Sequence, residues 1–107
     1  MSTLHTILSE ERSCVAAATF ILGDKWTPLI IQVLSEQPNR FCQLQLASGG
    51  INPRTLSARL SRLELEGIVE KRHCTDNSRT EYTLSQKGKD LLPIIHSMTE
   101  WGTRYTK

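Results

Sequence analysis

The chain has 107 residues and sets 13 basic side chains against 11 acidic ones, a formal net charge of +2. That length suits one domain of modest size, helped by a partner subunit, and so small a net charge does not by itself mark a nucleic-acid binder. No apolar run approaches a membrane span, and the opening MSTLHTILSEERSC lacks the basic start and continuous apolar stretch of a signal peptide, so a cytoplasmic protein without a membrane partner is expected.

Residues 1–12 read as an N-terminal arm or as extra helical turns. Ser13 can cap a helix through CVAAATFIL, where Cys14, Ala18 and Ile21 share a face, and Gly23 stops it. Asp24 can cap the next helix, in which Trp26, Leu29, Ile30, Val33 and Leu34 follow the i, i+3, i+4, i+7, i+8 rhythm of a core-facing stripe. Pro28 falls in its first turn, where proline is tolerated. The segment QPN breaks the chain and Phe41 anchors a short helix over 42–47 that buries Leu44; the turn SGGI follows.

The stretch GGINPRTLSARLSRLELEGIVEKR, residues 49–72, carries the most information. Asn52 is a good N-cap, and Pro53 suits the first helical position, where its missing N–H costs nothing. Leu56, Leu60 and Leu63 form one apolar stripe; Arg54, Ala58 and Ser61 point the other way, flanked by Thr55, Ser57 and Arg62. Gly67 ends the helix at C′. Residues 37–63 contain Arg40, Arg54, Arg59 and Arg62 with no Asp or Glu. A slim, donor-rich, positive face fits the major groove of DNA, while an ordinary solvated amphipathic helix is the other reading of this window. Two helices joined by a short Gly-containing turn, over 42–66, make a helix-turn-helix candidate.

After Gly67 the period changes. IVEKRHC and TEYTL read as strands around the polar tip TDNSR, giving a hairpin over 68–84. Ser85 can cap a last helix, kinked at Pro93, whose Leu91, Ile94, Ile95, Met98, Trp101 and Tyr105 share one stripe. That stripe exceeds what a small core covers, so it is expected to be a dimer interface; packing within its own subunit is the competing reading.

The order of elements, mainly α with a small β-hairpin wing, is that of a winged helix-turn-helix. Through LGDKW at 22–26 preceded by Cys14, RFCQL at 40–44, GINPRTLSARLSRLELEGIVEKR, EYTLSQKG at 81–88 and WG at 101–102, the chain resembles the HxlR-type transcriptional regulators of bacteria and archaea, relatives of the MarR group. The resemblance covers nearly everything after residue 13. It implies a single dimeric domain over 1–107, paired by its first and last helices, with two recognition helices in successive major grooves of a pseudo-palindromic duplex. The sequence departs from the family where Val15 replaces a common proline and where DNSR replaces a Pro-Pro pair in the wing. Gly49-Gly50 implies a looser turn into the recognition helix than one glycine would make.

Carried onto this sequence, Arg54, Thr55, Ser57 and Ala58 are the expected base-edge or groove-floor contacts, with Asn52 at the helix start. Arg54 can bind a guanine by two hydrogen bonds and Ala58 can touch a thymine methyl. Arg40 and Arg62 are expected phosphate anchors. Arg79 and Asn77 at the wing tip either reach a minor groove or are solvated turn residues, and Arg59 is expected to pair with Glu64 or Glu66.

Cys14, Cys42 and Cys74 are odd in number, widely spaced and without a C-x-x-C pair, so no disulfide framework, zinc cluster or cofactor is expected. At a helix start beside Arg12, Cys14 is favoured as a thiolate, an effect opposed by Glu10 and Glu11. The resemblance implies a redox- or electrophile-sensing cysteine there; a structural cysteine at the dimer seam is the alternative. Cys42 can act as a second thiol, and Cys74 is expected to be packed. His5, His73 and His96 stand far apart without a nucleophile or phosphate motif, so no enzyme is expected. A sequence-specific DNA-binding transcriptional regulator acting as a homodimer, whether repressor or activator, is thus the reading. A winged-helix protein-binding module, or a metal-responsive regulator using His73, Cys74 and a partner residue, is the alternative.

Overall fold

Helix α1 occupies Cys14–Leu22 of the computed structural model, which describes residues 14–74 and 79–106. The expected arm over 1–12, the Ser13 cap and Asn77 at the wing tip lie outside the described residues. At Gly23 a Cβ would stand 2.4 Å from the Thr19 carbonyl oxygen, so the glycine fits where a side chain would not. The N-cap of α2, Thr27–Glu36, is Trp26 and not the expected Asp24, which lies two residues earlier; the Asp24 carboxylate still accepts the N–H of Trp26 at 2.8 Å, the N–H of Thr27 at 2.9 Å and the Thr27 hydroxyl at 2.6 Å. Within α2, Ile30, Ile31 and Leu34 are buried. Leu29, assigned to the stripe from its spacing, is instead exposed, and Ile31 takes its place because neighbouring elements cover α2 on more than one side.

Helix α3 spans Phe41–Ala47, beginning one residue early because the Gln43 side-chain oxygen accepts the Arg40 N–H at 2.8 Å while Phe41 packs on the core. Leu44 is fully buried, as its position predicts. The helix ends in a Schellman turn, with Gly50 N–H on the Gln45 carbonyl and Gly49 N–H on that of Leu46. Both glycines take positive φ, +82° and +77°. With the Gln45 amide also donating to the Ile51 carbonyl, the turn is tied at several points. The looser turn inferred from two glycines is corrected accordingly: each glycine fills a left-handed position that a side chain would strain.

Helix α4, Pro53–Leu65, closes the helix-turn-helix. It too ends in a Schellman turn, with Gly67 at φ +75° and the Ile68 N–H on the Leu63 carbonyl. Strands β1, Val69–Cys74, and β2, Arg79–Leu84, are antiparallel, with Val69 opposite Leu84 and Cys74 opposite Arg79. Arg79 therefore belongs to a strand and not to the tip. The backbone of Asn39 pairs with Tyr82 through hydrogen bonds of 3.1 and 2.7 Å, adding a one-residue bridge where QPN had read only as a break.

The last helix is two. Ser85 Oγ accepts the Gly88 N–H and caps α5, Gln86–Lys89; α6 follows over Leu92–Tyr105. Pro93 sits in the first turn of α6, so the expected kink is a break before the proline, which cannot occupy a helix interior cheaply. The core forms where α2, α3, α4 and the base of the hairpin meet, and Ile95 is the α6 residue buried in it. No single helix among the described residues is long and apolar enough to cross a membrane.

Candidate nucleic-acid interface

Three faces divide α4. Leu56, Leu60 and Leu63, each at most 2% exposed, fix it to the core. Arg54, Ser57, Ala58 and Ser61 are exposed on the outward side. Thr55, Arg59, Arg62 and Glu66, at i, i+4, i+7 and i+11, are all half-buried on one flank. The start of the helix is held by Asn52, whose side-chain oxygen accepts the N–H of Arg54 at 2.8 Å and of Thr55 at 3.4 Å. That oxygen, expected near DNA, is thus committed to the cap. The cap places Arg54 in the first turn of α4, directly after the hydrogen-bonded Gly49-Gly50 turn.

The flank places two arginines elsewhere than their spacing suggested. The Arg62 guanidinium carbon lies 3.9 Å from the centroid of the Phe20 ring, and the same group donates to the Phe20 carbonyl oxygen. Arg62 therefore meets α1 and not the outward face from which a phosphate anchor would reach. Arg59 pairs neither with Glu64 nor with Glu66: its Nε stands 3.4 Å from Asp24 Oδ1. Partial burial pushes the Asp24 carboxyl up, but the Thr27 hydroxyl, the N–H groups of Thr27 and Trp26 and the Arg59 charge outweigh it and hold the group below its ordinary value. Neither contact was legible, because both partners are distant in sequence, Phe20 from Arg62 and Asp24 from Arg59.

Arg40 is half-buried at the start of α3. On the wing, Arg79 is exposed and shares a face with Arg72, opposite Glu81 at 3.4 Å; Arg72 is a wing cation that the sequence reading passed over. On the other face His73 Nδ1 and Thr80 Oγ1 are 3.1 Å apart. Among the described residues no three His, Cys, Asp or Glu side chains converge as metal ligands.

Of the stripe assigned to a dimer interface, Ile95 is only 2% exposed and belongs to this subunit's core, and Leu91 packs against that core. Ile94, Met98, Trp101 and Tyr105 remain 45–64% exposed, and Val15 and Phe20 of α1 are 66% and 62% exposed. A groove of about 350 Å³ between the two helices is lined by Val15, Leu22, Ile94 and Met98. Cys14 is helical and exposed, and Cys42 is exposed on α3.

Residues 21–107 match the family model described as HxlR-like helix-turn-helix. An HTH-type transcriptional regulator of Halalkalibacterium halodurans is 38% identical over 86 residues, covering 78% of this chain and 76% of the relative. The reduced form of the transcriptional regulator YodB of Bacillus subtilis superposes with a TM-score of 0.77 at 32% identity, over 84% of this chain and 89% of that one. YodB structures also exist for the diamide-treated and quinone-bound protein. The redox regulator HypR in its reduced form gives 0.78 at 28% identity, over 87% and 93% of the two chains. With the two-helix unit, its capped second helix and the antiparallel wing in place, the chain belongs to the HxlR-like helix-turn-helix family of DNA-binding transcriptional regulators.

Proposed function

We propose that this regulator acts as a homodimer on a pseudo-palindromic duplex, with α4 of each subunit in the major groove of half-sites about 34–36 Å apart. The outward face of α4 carries the reading: Arg54 is exposed in its first turn, and Ser57 and Ala58 beyond it are small enough to let the helix approach base edges. Thr55 borders that face. Arg40 is the phosphate anchor, and Arg79 with Asn77 extends the contact along the wing. Exposed Ile94, Met98, Trp101 and Tyr105 pair the subunits together with α1. Cys14 is the thiol through which oxidants or electrophiles change DNA binding, a reading supported by its exposure on α1 and by the likeness to HypR and to quinone-bound YodB.

Duplex binding followed by fluorescence anisotropy across a salt series tests the DNA reading. Affinity for a duplex enriched from a randomised pool should fall steeply with salt as counterions are released. Arg54→Ala should cost about 1–3 kcal/mol and relax preference at one position per half-site. Binding that ignores salt favours a protein-binding module instead.

A further inference from the structure

Two arginines of the recognition helix are held by the corner between α1 and α2. Phe20 lies in the last turn of α1, whose final carbonyls lack an intrahelical N–H partner. Arg62 supplies one of them with a donor and brings positive charge to the C-terminal end of the helix, where charge of that sign is favoured. Its guanidinium also covers the face of the Phe20 ring, and its Nε is sealed from solvent, so the head group is turned onto α1. One turn earlier, Arg59 faces Asp24, whose carboxylate bonds the head of α2.

We propose that Arg62, backed by Arg59, is a positioning residue that latches the recognition helix to α1, so that the tilt of α4 against a DNA groove follows the place of α1. The inference rests on the DNA-binding reading above and assigns that site its mechanical control. A planar guanidinium serves both contacts at once, stacking on the ring while donating in its plane to the carbonyl; an ammonium does not. Any event that displaces α1 is then passed to α4 as a shift of packed bodies. Cys14 lies on the same helix as Phe20, about 9 Å along its axis at 1.5 Å per residue.

The test uses the full chain and the variants Phe20→Ala, Arg62→Ala, Arg62→Lys and the double alanine variant. Their binding is compared on the pool-enriched duplex and on a random-sequence duplex, each across a salt series. The latch requires Phe20→Ala and Arg62→Ala each to lower the preference for the enriched duplex by about tenfold with the parent's salt slope. The double variant should be no worse than Arg62→Ala, and Arg62→Lys should fail to rescue. A salt slope lowered by about one in Arg62→Ala, with Arg62→Lys restored and Phe20→Ala silent, makes Arg62 a phosphate ligand and overturns the proposal. Hydrogen exchange on the free protein separates the two readings. Phe20→Ala should speed exchange of the amides at 62–66, and unchanged exchange there refutes the latch even if DNA binding stands. A parent protein that binds no duplex removes the DNA reading, and exchange still decides the latch.

Discussion

Arg59 of α4 lies 3.4 Å from Asp24, Nε to Oδ1, so the carboxylate that bonds the head of α2 also faces α4. One side chain thus serves a local role, satisfying N–H groups that α2 leaves open, and a long-range one, holding charge against the flank of α4.

Asp24→Ala should destabilise the protein by about 1 kcal/mol through loss of its hydrogen bonds to the Trp26 and Thr27 N–H groups at the head of α2. The folded group titrates below its ordinary value of 3.8, so its contribution is fully present above that pH and is lost as pH falls through the lower, folded value. Denaturant unfolding at a series of pH values should show the parent losing stability below pH 3.8 more steeply than Asp24→Asn, which retains an acceptor but no charge. Equal acid profiles would mean that the carboxylate charge contributes nothing.

Gly88 is buried where α5 meets the start of the wing, and a Cβ there would stand 2.4 Å from the Ile68 carbonyl oxygen and 3.0 Å from Leu84 Cδ2. Gly88→Ala should push α5 from the hairpin base and cost about 1–3 kcal/mol, the range for overpacking. A lowered urea midpoint with an unchanged m-value is the expected outcome, since the denatured chain is barely altered.

Trp101 and Ile95 should separate association from folding. Trp101→Glu places charge on an exposed apolar stripe and should yield a folded monomer by sedimentation at micromolar concentration. Ile95→Ala should leave the association surface intact and destabilise the fold by about 2–5 kcal/mol. A parent protein that sediments as a monomer would remove the homodimer and, with it, paired half-site binding.

Cys14 and Cys42 are both exposed, so accessibility alone does not rank them. The thiol-sensing reading expects Cys14 to react first with diamide or a quinone, by competitive labelling and mass mapping, and DNA affinity to change in parallel. Cys14→Ser should abolish the response and leave reduced-state binding nearly intact. If the serine variant responds as the parent does, Cys14 is a packing residue.

What can be read from the sequence here is what depends on neighbours within a helical turn. Asn52 and Pro53 start α4, Gly67 ends it, and the Leu56, Leu60, Leu63 stripe finds the core, because capping, left-handed φ and helical period are all local. The outward placement of Arg54, Ser57 and Ala58 follows from the same period. Only the tertiary structure decided where Arg59 and Arg62 turn, since a residue on the edge of an apolar stripe goes to solvent or to a neighbour according to what packs beside it, and here α1 and the α1–α2 corner do. The same holds for Ile94 and Ile95, adjacent and alike, of which one is exposed and one enters the core. The two glycines Gly67 and Gly88 mark the boundary: the first is required by its own backbone angle, the second by the carbonyl of Ile68, twenty residues away in the chain and in contact only once the hairpin has folded onto α5.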